Sequence, residues 1–95
     1  MQTGDIVVNG KPVKTVVVPL QHANIVLLIA ANGYLMCGYL NLEAAEKFGD
    51  CAGIIRGVKN AEEMLEKEVA CVTKAAESLG VKAGMKGRDA ISKMF

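Results

Sequence analysis

The longest uncharged apolar stretch of the chain runs from Ile25 to Leu40 and is interrupted at its centre by Asn32-Gly33. Asn-Gly between strand-forming residues predicts a two-residue hairpin turn, because both turn positions then need a positive φ. The pattern therefore predicts a central hairpin with strands near 25–31 and 34–40. Its turn would pair Ala31 with Tyr34, Leu28 with Cys37 and Ile25 with Leu40.

Both faces of this predicted hairpin are apolar, because successive strand residues point to opposite sides of a sheet. One face receives Val26, Leu28, Ala30, Leu35, Cys37 and Tyr39. The other face receives Ile25, Leu27, Ile29, Met36, Gly38 and Leu40. A sheet that is apolar on both faces must be covered on both. If helices cover only one face, a second copy of the chain is expected to cover the other.

The residues before the hairpin predict further strands. Asp5 to Val8 is a short strand-like run, and Asn9-Gly10 is a second hairpin signal. Val13 to Leu20 is rich in β-branched residues, which favour a pleated and half-buried strand. Residues 1–20 are therefore interpreted as a β-rich arm. It forms either the outer hairpin of the same sheet or an arm that reaches onto another subunit.

Capping residues mark the elements that follow the hairpin. Asn41 is placed to cap a helix over Leu42–Phe48, and Gly49 is placed to end it. Asp50–Gly57 predicts a short strand. A final short helix is predicted over Lys86–Met94.

A long main helix is predicted between Asn60, a second N-cap, and Gly80. Apolar residues recur there at steps of three and four, which is typical of one helix face: Leu65, Val69, Val72, Ala76 and Leu79. The element order favours an α+β fold in a single domain. We expect a mixed, mainly antiparallel sheet with the helices packed on one face.

Composition excludes several classes of function. The net charge of +1, with acids and bases well mixed, gives no electrostatic case for nucleic acid or an anionic membrane. The central apolar stretch is not predicted to be a membrane-spanning helix, because Asn32-Gly33 would weaken such a helix at its middle. Three widely spaced cysteines and no signal-peptide pattern indicate a reducing cytoplasm.

Three short motifs resemble a known family: Met36-Cys37-Gly38-Tyr39-Leu40, Arg56-Gly57-Val58 and Gly84-Met85-x-Gly87-Arg88. From about Ile25 to Met94 the chain resembles the YunC-like proteins, a small bacterial and archaeal domain family of unknown function. The resemblance implies that a β-rich N-terminal region, here Asp5 to Leu20, mediates tetramerisation. It implies no catalytic residue.

Cys37 is the candidate nucleophile of the chain. A reactive thiol needs a neighbouring cation, base or helix N-terminus, and the helix after Asn41, Arg56 and His22 are the candidates. The alternative is that Cys37 is a small buried hydrophobe. Cys51 and Cys71 are interpreted in that second way.

The segment Gly84-Met85-Lys86-Gly87-Arg88 opens the last predicted helix and suggests an anion site. Its backbone amides would bind the anion, and Lys86 and Arg88 would add positive charge. Arg56 is a further candidate ligand-binding residue. The spacing is neither a Walker loop nor a dinucleotide fingerprint, and the alternative is a tight helix start.

Two functions from different classes follow. The first is a structural or ligand-binding module that works as a homo-oligomer, a tetramer or trimer rather than a dimer, with a small anionic ligand. The second is a thiol-dependent enzyme in which Cys37 is the nucleophile and Arg56 or Arg88 holds an anionic substrate. A metal bound by Cys37 and His22 across subunits is the least favoured, and no cofactor is predicted.

Overall fold

The computed structural model describes residues 2–38 and 41–95 of the chain. Within these two ranges, none of the helices has the length and hydrophobicity that a membrane span requires. The elements are, in order, β1 Gln2–Val8, β2 Lys11–Pro19, β3 Asn24–Ala30, β4 Gly33–Met36, α1 Leu42–Phe48, β5 Ala52–Ile54, α2 Ala61–Glu66, β6 Cys71–Val72, α3 Lys74–Ser78 and α4 Gly87–Ser92.

The strands form one sheet in the order β1-β2-β3-β4-β5-β6. All neighbours are antiparallel except β4 and β5, which are parallel and are joined by the crossover helix α1. This confirms the predicted α+β fold with a mixed, mainly antiparallel sheet. The N-terminal hairpin β1–β2 belongs to the same sheet.

Helices cover both faces of the sheet. Helices α2, α3 and α4 pack on one face, here named the α2–α4 face, whose core includes Val8, Val13, Val26, Leu28, Leu35, Cys37 and Ile91. Helix α1 packs on the opposite face, the α1 face, over Met36, Ala52 and Ile54. The expectation that all helices share one face therefore holds for α2–α4 but not for α1. Parallel strands need a crossover connection, and α1 is that crossover.

The predicted hairpin turn is displaced by one residue along the chain, which shifts the pairing of its two strands by two residues. The structure pairs Ala30 with Gly33 and Leu28 with Leu35, so the loop is Ala31-Asn32 and the predicted pairing of Ala31 with Tyr34 is wrong. An even shift keeps each side chain on its predicted face. Among the described residues of the hairpin, Ile25 alone departs from its predicted face, since it packs with the α2–α4 face. The predicted positions of Tyr39 and Leu40 lie outside the described residues.

The displaced turn has a tertiary cause. Glycine is required at position 33 because other residues pack closely against its backbone, not because of a positive φ. A Cβ at Gly33 would lie 2.8 Å from the Cys51 Sγ and 3.0 Å from the Met94 Cγ. The Asn32 amide donates a hydrogen bond to the Met94 carbonyl at 2.6 Å. By contrast, Asn9-Gly10 has positive φ angles of 51° and 79°, so this second predicted turn is confirmed.

The predicted long helix from Asn60 to Leu79 is wrong. The chain forms α2, then the short strand β6, then α3, whose N-cap is Thr73. The intervening backbone is extended because it finds tertiary partners: the Val69 amide donates to the Met85 carbonyl at 2.7 Å, and the Ala70 amide donates to the Ile54 carbonyl at 2.7 Å. Val69 is still buried, whereas Leu79 is 43% exposed and lies outside the core.

The predicted helix boundaries that depend on local capping are confirmed. The Asn41 side chain accepts from the Glu43 amide at 2.8 Å, and Gly49 ends α1 in the left-handed conformation. The Asn60 side chain caps α2 through the Glu63 amide at 2.8 Å. These contacts join residues two or three positions apart, so the sequence alone specifies them.

A polar contact joins β4 to the loop that follows α1. The Tyr34 hydroxyl donates a hydrogen bond to Asp50 Oδ2 at 2.7 Å. Burial first, and then this bond to Asp50, raise the pKa of Tyr34 to about 12. The phenol therefore keeps its proton in the folded protein at pH values where a free tyrosine loses it.

Titration of Tyr34 tests this contact. Because its pKa is raised on folding, the stabilisation is complete below the unfolded value of about 10 and is lost as the pH rises towards 12. When tyrosinate absorbance is followed against pH, one transition should have its midpoint above that of a free tyrosine, and Tyr34→Phe should remove this transition. Asp50→Asn should lower that transition without returning it to the free value, since burial is the larger cause. Two tyrosines that both titrate near the free value would contradict the contact.

The buried position of Val69 gives a second prediction. Val69→Asp should lower the free energy of unfolding by several kcal/mol, on the order of an unpaired buried charge. Ala70→Asp is the matched control, because the neighbouring side chain is exposed and should change stability by about 0.5 kcal/mol or less. Urea unfolding measures both variants, and equal midpoints would refute the packing of Val69.

Candidate functional site

A pocket of about 260 Å³ lies at the C-terminal end of β4. It is lined by Ala23, Asn24, Cys37, Gly38, Arg56, Gly57 and Val58. The structure thus brings together two of the residues selected from the sequence, Cys37 and Arg56. We name this concavity the Cys37 pocket.

Cys37 forms part of the core beneath this pocket. It lies one residue beyond β4, and its amide donates to the Val26 carbonyl at 3.1 Å. The residue is 3% exposed and packs with the α2–α4 face. Gly38 does not leave open space beside the thiol, because the stem of Arg56 occupies it: a Cβ at Gly38 would lie 3.3 Å from the Arg56 Cγ.

The loop that carries Arg56 is fixed on two sides. The Lys67 ammonium donates to the carbonyls of Arg56 and Gly57 at 3.3 and 3.2 Å. The Asn24 side-chain amide donates to the Lys59 carbonyl at 2.9 Å, which ties the loop to the start of β3. Arg56 is the only side chain with a permanent charge among the described lining residues, so the electrostatics of the pocket favour an anion.

The described lining of the Cys37 pocket contains no His, Asp or Glu that could serve as the base of a thiol enzyme. His22 is exposed in the turn before β3 and does not line the pocket. Within residues 2–38 and 41–95 no group of three metal-ligating side chains is assembled. The catalytic role of Cys37 stays a prediction, and no side chain among the described lining residues is the acid–base partner that such a role needs.

The other two cysteines differ in their surroundings. Cys51 is half-buried, and burial raises the pKa of its thiol. Its Sγ lies against Gly33, which is the packing role expected of it. Cys71 is exposed in β6, so its interpretation as a small buried hydrophobe is wrong. All three cysteines are free.

The glycine-rich segment before α4 uses its amides inside the fold. The Gly84 amide donates to the Val69 carbonyl, and the Gly87 amide donates to the Lys67 carbonyl, both at 2.8 Å. A side chain at Gly87 would collide with the Met64 carbonyl oxygen. This geometry is that of a tight helix start, the alternative raised from the sequence.

The charged residues of that segment are paired with one acid. Glu66 lies 2.8 Å from the Arg88 guanidinium and 3.8 Å from the Lys86 ammonium. The hydrogen bond from Arg88 lowers the pKa of Glu66. Ligand binding by Gly84, Lys86, Gly87 and Arg88 stays a prediction. None of these four residues lines the pocket that contains Arg56.

A larger groove on the α1 face was not predicted from the sequence. Its volume is about 510 Å³, and its lining is mostly apolar. The lining residues are Leu27, Ile29, Tyr34, Met36, Asn41, Ala44, Ala45, Phe48 and Asp50. The sequence feature that could have indicated this groove is the pair Ala44-Ala45, because two small side chains on a helix leave space above the larger side chains of a sheet. We name it the α1 groove.

Comparison with known proteins places the chain in a family. Residues 36–94 match the domain of unknown function DUF1805. The chain is 38% identical over 94 residues to the uncharacterized protein YunC of Bacillus subtilis, an alignment that covers 95% of this chain and 93% of that protein. It superposes with a TM-score of 0.94 on the crystal structure of a protein of unknown function, TA1206 from Thermoplasma acidophilum, at 33% identity, covering 99% of this chain and 92% of that one. These matches confirm the YunC-like resemblance, and the chain belongs to the DUF1805 family.

Proposed function

We propose that this protein is a ligand-binding module that works as a homo-oligomer in the cytoplasm and takes a small anion in the Cys37 pocket. The observation that carries the proposal is the convergence of Cys37, Gly38 and Arg56 on one pocket. The thiol-enzyme alternative is not supported, since the described lining contains no base.

The charge around the pocket supports an anionic ligand. The ion pairs formed by the described residues both centre on Glu66, which engages Lys86 and Arg88. Arg56 forms no ion pair within these residues, and no carboxylate is among the described lining residues of its pocket. A guanidinium presents several donors in one plane and matches the geometry of a carboxylate or phosphate.

The N-terminal hairpin supports self-association. Strand β1 is at an edge of the sheet, and seven residues long, so it presents a row of backbone groups to pairing with another chain. Val7 on this strand is 71% exposed. Together with the implication of the family resemblance, this favours a tetramer or trimer in which the β-rich arm, residues 1–20, is in the contact.

Three free thiols in so small a chain support a reducing compartment, the cytoplasm. Neither a bound cofactor nor an acid–base pair is needed for this proposal. The expected work of the module is to bind a small molecule and present it within an assembly.

Anion binding at Arg56 is tested by thermal stability. Phosphate or sulfate should raise the melting temperature above that in chloride at matched ionic strength, because a ligand that binds the folded state stabilises it by mass action. Arg56→Gln should remove most of this shift. Arg88→Gln is the matched control and should keep it, since Arg88 is engaged with Glu66. The reverse result would place the anion at the Gly84–Arg88 segment, and no shift at all would refute an anion site.

Self-association through β1 is tested by light scattering at micromolar concentration. Val7→Lys places a charge on the exposed edge strand and should lower the mass of the assembly while the circular dichroism stays unchanged. Leu79→Lys is the control, because Leu79 is also an exposed apolar residue but lies after α3. A folded wild-type monomer, or equal effects of the two substitutions, would overturn the role of the arm.

A further inference from the structure

The α1 groove has the size and lining of a small-molecule site, and it is separate from the Cys37 pocket. Its volume of about 510 Å³ lies within the range of roughly 300–1,000 Å³ typical of such sites. Leu27 and Ile29 of β3 form one wall, and Ala44 and Phe48 of α1 form the other. Phe48 is 82% exposed at the rim. The body of a ligand in this groove would therefore be apolar.

One carboxylate is held in a fixed position in this apolar lining. The Asp50 amide donates to the Ala45 carbonyl at 2.9 Å, and its carbonyl accepts the Thr73 hydroxyl at 2.7 Å, so the backbone is anchored on both sides. The Tyr34 hydroxyl then fixes the side chain through Oδ2. Such a carboxylate is preorganised, which lowers the cost of ordering it around a ligand.

We propose that the α1 groove binds a small amphipathic amine, with its ammonium group at Asp50 and Tyr34 and its aliphatic or aromatic body between β3 and α1. Asp50 is the only carboxylate among the described lining residues, and no Lys or Arg is among them. The charge of the groove is therefore complementary to a cation.

The hydrogen-bonding capacity of the two polar residues also matches an ammonium. Because Tyr34 gives its only hydroxyl proton to Asp50, its oxygen keeps lone pairs that can accept. The carboxylate accepts through both of its oxygens, and an ammonium offers up to three donors. A neutral or anionic ligand that covered Asp50 would strip water from the carboxylate without pairing it, which is unfavourable.

A second copy of the chain is the less favoured occupant of this groove. If it were seated through its own α1 face, it would bring another Asp50 carboxylate towards the first, and like charges at short range repel. An amine supplies the opposite charge and fits between the walls.

Phenethylamine is the probe for this proposal. Titrated into the full chain at neutral pH, it should shift the backbone amide NMR signals of β3, β4 and α1. Phenethyl alcohol, which has the same shape without the charge, should bind more weakly by a factor of about ten or more. Hydrocinnamate, which carries a carboxylate, should not shift these signals.

Substitutions distinguish the contribution of the Asp50 charge to binding from that of the shape of the groove. Asp50→Asn should weaken phenethylamine binding about tenfold or more, while Asp89→Asn, which removes an exposed carboxylate of α4 outside the groove, should leave it unchanged. Ala44→Leu fills the groove from an exposed helix position and should block binding without unfolding the chain. Amide NMR spectra of each variant establish that it is folded.

The proposal fails if the alcohol binds as well as the amine, if Asp50→Asn binds the amine normally, or if the shifts map elsewhere. It also fails if the amine does not bind. If, in that case, Ala44→Leu lowers the mass of an oligomer, the groove would be assigned to a second copy. Because Arg56 is not part of the groove, none of these outcomes bears on the anion site.

Discussion

The buried hydroxyl of Thr73 fixes the junction on which both the sheet and the α1 groove depend. It donates to the Asp50 carbonyl at 2.7 Å and accepts from the amides of Ala52 at 3.0 Å and Ala76 at 3.3 Å. A hydroxyl has one donor and two acceptor lone pairs, so its full capacity is used. Leaving its buried partners unsatisfied would cost about 1–3 kcal/mol each. This single side chain therefore anchors β5, begins α3 and sets the position of Asp50.

The position of β5 determines what covers the α1 face. Because β5 runs parallel to β4, the chain must cross from one end of the sheet to the other, and α1 makes that crossing within seven residues. A helix this short, with Ala44 and Ala45 at the groove, covers Met36, Ala52 and Ile54 but leaves Ile29 of β3 exposed. The groove is thus a consequence of the parallel pair, and Tyr34 and Asp50 meet in it because they flank that crossover.

Features that depend on local contacts could be predicted from the sequence, whereas features that depend on tertiary contacts could not. Asn41 and Asn60 cap helices through residues two or three positions away, so those boundaries could be predicted. The stripe from Leu65 to Leu79 has helical spacing, yet Val69 and Ala70 hydrogen-bond to distant strands and loops, and no periodicity reveals that. The candidate site divides in the same way. Cys37 and Arg56 could be selected by residue type, but their shared pocket and the Tyr34–Asp50 contact depend on how β4 and β5 pair.

Both concavities depend on the same strand register. Met36 lines the α1 groove and the next residue, Cys37, lines the pocket on the opposite face, so a slip of one residue would exchange them. The Met36 carbonyl accepts the Ile55 amide at 2.9 Å, directly before Arg56, which aligns the two halves of the Cys37 pocket. Gly33 sets the register from the other end, since only a residue without a side chain can pack there against Cys51 and Met94. One sheet thus separates the Cys37 pocket, where Arg56 supplies a positive charge, from the α1 groove, where Asp50 supplies a negative one. The sequence alone places the hairpin turn incorrectly. The packing of that turn at Gly33 keeps Met36 and Cys37 each in its own site.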